Sequence, residues 1–166
     1  MKRIALSLAL AAAVAGCGDG PGWMLAPERS EGAGEAVSFR RLDDGARQFS
    51  AVVQRERLVI ETPEAWASAW ALLQGTLLPV PPVPAVDFTR EAVVVVAMGR
   101  RPTAGYSIRV DRVERLAGET TVRVVETSPG RTCVLAQVLT SPFDVVLIPR
   151  SALPLRFTEQ QAVRDC

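Results

Sequence analysis

The chain has 166 residues, the length of one domain with a sizeable core. Its formal net charge of +1 and its aromatic content of 5% provide neither the basic surface nor the stacking platform that nucleic-acid binding requires. The chain has no histidine, which removes the histidine-dependent hydrolytic triads and most zinc sites, and Lys2 is its only lysine. We therefore expect a protein that is not an enzyme, uses no cofactor or metal, and binds no nucleic acid.

The N-terminal residues predict export and a lipid anchor. Residues 1–16 combine a positively charged start with an apolar run too short to span a bilayer, which is the layout of a signal peptide. The small residues before Cys17 resemble the lipobox of bacterial lipoproteins, and this resemblance implies a lipidated Cys17 that carries acyl chains such as palmitate. Gly18, where Asp would favour inner-membrane retention, makes the cell outer membrane the expected location. The alternative is an ordinary signal peptide followed by a chance cysteine.

Residues 17–36 are rich in Gly, Pro, Ser and Glu, and this composition predicts a flexible tether between the lipid and the domain. A single β domain is then expected to occupy residues 37–166. Within it, the alternation of apolar and polar residues predicts a first strand at 37–40 and a pair of strands at 49–54 and 57–61.

A helix is predicted from Thr62 to Gly75. Thr62 can cap its N-terminus, Pro63 suits the first helical position, and Gly75 ends it. Trp66 and Trp70 lie four residues apart and therefore share one face of this amphipathic helix. The pair is expected to pack in the core against a sheet, and the alternative is that it forms a ligand cage.

The next predicted elements are a connector and a central hairpin. The proline-rich residues 79–84 forbid both helix and central strand and predict an extended connector across the surface. The stretch 93–110 is predicted to be a hairpin at the centre of the sheet. Its first strand, 92–98, is apolar on both faces, as a strand covered on both sides should be. Residues 99–106 form the predicted turn of this hairpin.

The remaining strands follow at roughly ten-residue spacing, with turn signals between them. They are expected at 107–111 with an extension over 113–116, and at 120–125, 133–139, 145–148 and 155–157, with a turn at 128–130. The predicted fold class is mainly β (α+β): an antiparallel β-sandwich or barrel of about eight strands with one amphipathic helix.

The turn at 99–106 supplies the candidate partner-binding residues, because Arg and Tyr are enriched at interface hot spots. These residues are Arg100, Arg101, Pro102, Thr103, Gly105 and Tyr106. In the alternative interpretation, the proline and the glycine only shape the turn, and the tyrosine packs in the core.

Two cysteines remain if Cys17 carries the lipid. Outside the cytoplasm, thiols tend to pair, so Cys133 and Cys166 are a candidate disulfide. The bond would tie the C-terminal tail to the segment beginning at Cys133. Because Cys166 is the last residue, the alternative of two free thiols stays open.

From about residue 37 to residue 157 the chain resembles the PrcB-like family of secreted bacterial lipoproteins. The matching stretches, in order, are TPEAW with a second Trp (62–70), VDF (86–88), VVAMGRRPTAGYSI (95–108), SPG with Cys133 (128–133) and TSPF leading to IP (140–149). The family often has Thr-Gly-Gly-Tyr where this chain has Thr103-Ala104-Gly105-Tyr106. The resemblance implies association with a secreted or surface protease and support of its stability.

The expected function is a non-enzymatic envelope lipoprotein module that binds and stabilises a protease or another envelope protein. The membrane would be its second partner, through the N-terminal lipid. The alternative is a protease inhibitor, since Pro102 to Tyr106 resembles the Pro-Thr-Thr-Gly-Tyr loop of chagasin-type cysteine protease inhibitors, which are also β-sandwiches.

Overall fold

The computed structural model describes residues 34–42, 48–75 and 77–166. Within these ranges the chain forms eight strands and one helix. In chain order they are β1 (Glu35–Ala36), β2 (Arg40–Arg41), β3 (Glu56–Ile60), α1 (Pro63–Gln74), β4 (Glu91–Ala97), β5 (Ser107–Leu116), β6 (Glu119–Pro129), β7 (Phe143–Pro149) and β8 (Leu155–Arg164). No helix of the described part is long and apolar enough to cross a membrane. The predicted signal peptide, Cys17 and most of the predicted tether lie outside the described residues.

The strands form two four-stranded sheets. Sheet 1 has the order β1-β5-β6-β8, and sheet 2 has the order β2-β7-β4-β3. All neighbouring strands are antiparallel except β6 and β8, which run parallel. The predicted fold class, a mainly antiparallel β-sandwich with about eight strands and one helix, is confirmed.

The core has two layers, because sheet 2 is covered on both faces. The layer between the sheets takes apolar side chains from β4, β5, β6 and β7, and the second layer lies between sheet 2 and α1. Strand β4 contributes to both layers: Val94 and Val96 lie between the sheets, whereas Val93 and Val95 face the helix. The continuous valine run therefore confirms the prediction of a central strand that is apolar on both faces.

Helix α1 begins where the local signals predict. The side-chain oxygen of Thr62 accepts a hydrogen bond from the backbone N–H of Ala65 at 3.3 Å, and Pro63 occupies the first turn. Trp66 and Trp70 are buried, with ring centroids 5.2 Å apart. Their contacts are with the core residues of sheet 2, so the predicted core role is confirmed.

The proline-rich connector lies across the helix and is held by the tryptophans. The indole N–H of Trp66 donates to the carbonyl of Pro84, and that of Trp70 donates to the carbonyl of Pro81, both at 3.0 Å. Residues 80–86 have no regular secondary structure, as expected of a proline-rich run. The two indoles thus satisfy carbonyls of a segment that has few backbone donors of its own.

The predicted hairpin at 93–110 is wrong. Strand β4 belongs to sheet 2 and β5 to sheet 1, so residues 98–106 cross from one sheet to the other. Both edges of β4 are already paired, one with β3 and one with β7, and no edge is left for β5. The tight polar segment is therefore an inter-sheet crossing.

Five smaller expectations also differ from the structure. Residues 49–54 and 133–139 are irregular instead of strands, and their backbone groups bond to loops and to the end of α1. Strand β6 continues through Pro129, so the predicted turn at 128–130 begins later. The last strand runs to Arg164 because it pairs with β6 over ten residues. The predicted strand at 37–40 is split, since the chain there passes from the edge of sheet 1 to the edge of sheet 2.

Candidate functional site

Two segments that join the sheets meet at one end of the sandwich, which we call the crossover end. The first is residues 98–106, and the second is residues 130–142, which return the chain from β6 to β7. Arg101 and Thr140 form an isolated β-bridge between them, with N–O distances of 2.7 and 3.0 Å. The hydroxyl of Thr140 also donates to the carbonyl of Thr103 at 2.9 Å. The two crossings therefore form one hydrogen-bonded unit.

Gly99 and Arg100 fix the first crossing against the irregular residues 51–55. Gly99 is buried with φ +71°, and a Cβ at this position would lie 2.6 Å from the carbonyl oxygen of Val53. The backbone N–H of Arg100 donates to the same carbonyl at 3.0 Å. The side chain of Arg100 is exposed, so this residue is tied by its backbone and presents its guanidinium to solvent.

Arg101 and Tyr106 face inward instead. The guanidinium of Arg101 donates to the carbonyl of Met98 at 2.9 Å and lies 5.9 Å from the centroid of the Tyr106 ring. Tyr106 is half-buried and packs against the core between the sheets. These two side chains therefore brace the crossing from within, and a substitution of either would disturb packing as well as any surface.

The segment Pro102–Tyr106 packs against residues 135–136 and does not project freely into solvent. Gly105 has φ +92°, and a Cβ there would lie 3.0 Å from the side chain of Leu135. The backbone N–H of Ala104 donates to the carbonyl of Ala136 at 3.1 Å. Only Pro102 and Gly105 of this segment are exposed. The chagasin-type inhibitor interpretation, which needs these residues as a free loop, gains no support from this arrangement.

Residues 131–139, which we call the outer loop, cover this segment and carry exposed apolar side chains. Val134 is fully exposed and Leu139 is 59% exposed. The structure joins Cys133 to Cys166 in a disulfide, with the Cα atoms 5.3 Å apart. The strand predicted at 133–139 is wrong, because an apolar run without polar alternation does not distinguish a strand from a loop. Gln137 is the only polar side chain in that run.

A shallow cavity of about 480 Å³ opens at the crossover end. Its lining residues are Phe49, Ser50, Leu77, Arg100, Leu139, Thr140 and Ser141. The hydroxyl of Ser50 donates to the carbonyl of Ser141 at 3.1 Å, which holds the irregular residues 48–52 against the second crossing. The apolar side chains at the rim are exposed, and the guanidinium of Arg100 lies among them. Aromatic residues and arginine are enriched in the cores of protein–protein interfaces, and the two leucines add apolar area beside them.

A second cluster of charged side chains joins the two sheets at strands β3, β6 and β8, and no sequence pattern predicted it. Glu126 of β6 is 3% exposed and accepts from Arg57 of β3 at 2.5 Å, from Arg55 at 3.0 Å and from Gln161 at 3.1 Å. Both arginines also pair with Glu159 of β8. Burial by itself would raise the pKa of Glu126, but the hydrogen bonds from Gln161, Arg57 and Arg55 together hold it below its ordinary value.

Asp144 is the corresponding buried carboxylate on the other side of the sandwich. Its two oxygens accept from Nε of Arg41 at 3.0 and 3.1 Å, and one of them accepts the backbone N–H of Val110 at 2.8 Å. Strand β5 has a bulge between Val110 and Arg112, which frees backbone groups from the ladder. Asp144 therefore satisfies a bulge and ties sheet 2 to sheet 1. Its role is structural.

These carboxylates are all engaged by arginines or backbone donors. Among the residues that the structure describes, no group of three or more Cys, Asp or Glu side chains is placed to hold a metal ion. The crossover end has a hydrogen-bonded base, exposed apolar side chains and the exposed guanidinium of Arg100.

The fold is that of a small β-sandwich domain whose sheets are joined by two crossing segments at one end. The family model described as PrcB C-terminal matches residues 92–149, the range that contains both crossings and strands β5 to β7. The resemblance to the PrcB-like family is thereby confirmed over residues 92–149. No curated protein and no solved structure gives a significant match to the chain.

Proposed function

We propose that the chain is a non-enzymatic envelope lipoprotein module that binds and stabilises a protease or another envelope protein through its crossover end. The observation that carries the proposal is the exposed apolar surface around Arg100, which lies on the region matched by the PrcB C-terminal model. That match supports a module associated with a protease complex. We infer the identity of the partner and its stabilisation by the chain.

The physical case for docking rests on rigidity and composition. The β-bridge between Arg101 and Thr140 and the bonds from residues 98–106 to the outer loop hold the surface in one conformation. A preordered surface loses less conformational entropy on binding. Phe49 and Leu139, each more than half exposed, can bury apolar area against a partner, while Arg100 supplies a directional polar contact.

A bound module stabilises its partner by mass action. A domain that binds only the folded partner raises the partner's free energy of unfolding by about 2.7 kcal/mol at a concentration 100 times the dissociation constant. A lipid anchor at Cys17 would hold the domain at the membrane and raise its local concentration there. This proposed anchor needs two acyl signals for stable attachment, which a diacylated cysteine would provide.

The experiment is crosslinking of the full-length chain in its native membrane, followed by mass spectrometry of the crosslinked partner. Leu139→Asp and Arg100→Ala should each reduce recovery of a protease partner several-fold, because one places a charge in the apolar surface and the other removes the exposed guanidinium. Arg101 is unsuitable as a probe, since its side chain bonds to Met98 and contacts Tyr106 inside the fold.

Leu116→Asp is the matched control. Leu116 is 48% exposed and ends β5 at the opposite end of the sandwich, so the same change of charge there should leave recovery unchanged. Equal recovery by Leu139→Asp, Arg100→Ala and the unmodified chain would contradict docking through the crossover end. If the crosslinked partner has no role in proteolysis, docking through the crossover end stands and the proposal that the partner is a protease is wrong.

A further inference from the structure

The most exposed apolar side chain of the outer loop is that of Val134. Val134 is fully exposed, although valine is a residue that proteins normally bury. Its neighbours do not share this exposure: Cys133 and Leu135 are each partly buried. Val134 is therefore the most exposed of the loop's large apolar side chains, and the residues on either side of it are partly buried.

The N-terminal side of Val134 is covalently held. Cys133, the residue immediately before it, is bonded to Cys166 at the end of the chain. The backbone N–H of Cys133 donates to the carbonyl of Gly130 at 3.2 Å, and Gly130 in turn donates to the carbonyl of Arg164 at 2.8 Å. The residue before Val134 is thus fixed to the end of β8.

The C-terminal side is held by hydrogen bonds and packing. Leu135 lies against Gly105, where a Cβ would approach its side chain to 3.0 Å. The carbonyl of Ala136 accepts from the backbone N–H of Ala104 at 3.1 Å and from that of Val138 at 3.0 Å. The bridge at Thr140 closes the loop. Both flanks of the Val134–Leu135 peptide bond are therefore attached to the sandwich independently of that bond.

This combination is what a substrate-like protease inhibitor needs. An endopeptidase recognises the side chain before the scissile bond in a pocket, and a loop that is already ordered binds with a smaller entropic loss than a flexible substrate. When both flanks are anchored, the two new chain ends stay in place after cleavage. The cleaved loop is then not released as product, and the peptide bond can form again. Protease–inhibitor interfaces are of standard size and among the tightest known.

We propose that the outer loop enters the substrate cleft of an endopeptidase and inhibits it, with Val134 in the primary specificity pocket. This inference rests on the proposed docking function and adds that the outer loop contacts the partner and that the partner is an endopeptidase. A valine in that pocket selects an endopeptidase that prefers small or medium aliphatic side chains. Slow hydrolysis would add one water across the Val134–Leu135 bond, giving a carboxylate on Val134 and an amine on Leu135, and resynthesis would release the same water.

The test uses the full-length chain, an elastase-type serine endopeptidase and a chromogenic peptide with valine before the scissile bond. The chain should inhibit competitively with an inhibition constant of about 1 µM or lower. It should inhibit a trypsin-type endopeptidase, which requires Arg or Lys, at least about 100-fold more weakly. Val134→Arg should reverse this preference, and because Val134 is fully exposed, the substitution should leave the fold intact.

Leu116→Arg is the matched control, because it places the same charge on an exposed leucine at the opposite end and should leave both inhibition constants unchanged. In a second measurement, replacing both Cys133 and Cys166 with Ser should accelerate cleavage after Val134 about tenfold or more, since one flank is then free. Absence of inhibition at about 0.1 mM of the unmodified chain, or equal inhibition of both enzymes by Val134→Arg, would overturn the proposal.

Docking and cleft insertion can fail separately. The protease recovered by crosslinking is blocked with a covalent active-site reagent and tested again for capture. Capture that persists after blocking overturns insertion of the outer loop and leaves docking at the crossover end intact. Capture that is lost after blocking, and that is lost with Val134→Asp, supports insertion. Recovery that is unaffected by Leu139→Asp contradicts the docking itself.

Discussion

At the scale of single residues, the glycines with positive φ differ in what surrounds them. Gly99 has φ +71° and Gly118 has φ +83°, so both require a conformation that side chains with a Cβ rarely adopt. A Cβ on Gly99 would lie 2.6 Å from the carbonyl oxygen of Val53 and 2.7 Å from the carbonyl carbon of Gln54. A Cβ on Gly118 would meet nothing within 4 Å. Substitution of Gly118 therefore tests backbone strain alone, whereas substitution of Gly99 adds a steric conflict to that strain.

Gly118→Ala should lower the free energy of unfolding by about 1–2 kcal/mol, the cost of a left-handed conformation with a Cβ. Gly99→Ala should lower it by clearly more, because backbone atoms of Val53 and Gln54 cannot move aside without shifting the crossover end. Urea unfolding of both variants measures the difference. Equal losses would mean that residues 53–54 adapt easily and that the crossover end is less rigid than its hydrogen bonds indicate.

Residue-level prediction succeeded where a signal was local and failed where the partner was distant. Thr62, Pro63 and the spacing of Trp66 and Trp70 predicted a capped helix with a buried face, since all of these act within a few residues. Asp144 was predicted only as part of a turn. Its partner Arg41 is 103 residues away, so no pattern near Asp144 could identify a buried ion pair.

At the scale of elements, α1 and the proline-rich connector depend on each other. The helix buries its tryptophans against sheet 2, and their indole N–H groups bond to carbonyls of the connector. The connector itself has prolines where backbone donors would be, so side-chain donors must satisfy its carbonyls. The helix was predictable from its own residues, whereas this second use of the tryptophans was not.

Trp70→Phe removes the donor to Pro81 but keeps an aromatic ring in the core. It should lower the free energy of unfolding by about 1–3 kcal/mol, because the carbonyl of Pro81 loses its partner. It should also make residues 79–84 more susceptible to limited proteolysis. Leu72→Ala is the control on the same helix, since Leu72 is exposed and should change stability by less than about 0.5 kcal/mol. Unchanged proteolysis in Trp70→Phe would show that the connector is held by other contacts.

The wrong hairpin shows why strand type is easier to predict than strand pairing. The valine run of β4 and the alternation of β5 each predicted a strand correctly. The short polar segment between them suggested pairing, but β3 and β7 occupy both edges of β4. Every strand competes for pairing with every other strand, and the partners of β4 are distant in the chain: the nearest pair, Ile60 and Val93, is 33 residues apart. The strand predicted at 133–139 is wrong for a related reason, since the exposure of the outer loop depends on residues 102–106, which lie behind it.

At the scale of the whole molecule, buried ion pairs join the two sheets on both sides. Arg41 and Asp144 connect β2 and β7 to the carbonyl and N–H of Val110 in β5. On the opposite side, Arg57 of β3 and Arg55, the residue before β3, pair with Glu126 and Glu159 of sheet 1. The apolar layer between the sheets supplies most of the favourable free energy, and these pairs fix how the sheets are aligned.

The cluster around Glu126 makes the stability of the sandwich dependent on pH. The pKa of Glu126 in the folded chain lies below its ordinary value of 4.5, so the unfolded chain binds a proton first as the pH falls. The stabilisation by this carboxylate is therefore complete above about pH 6. It decreases below pH 4.5 and is lost as the pH falls through the lowered pKa of the folded state.

Glu126→Gln should lower the free energy of unfolding by about 3 kcal/mol at neutral pH, because Arg57 stays buried with one fewer carboxylate. The difference between the variant and the unmodified chain should shrink as the pH falls below the ordinary carboxyl value, since protonation then removes the same charge from the unmodified chain. Glu119→Gln is the control, because its pair with Arg156 is on the surface and should contribute less than about 1 kcal/mol. Urea unfolding at several pH values gives all three curves. A difference that stays constant from neutral to acidic pH would show that Glu126 acts through its shape and hydrogen bonds, and that its charge does not hold the sheets together.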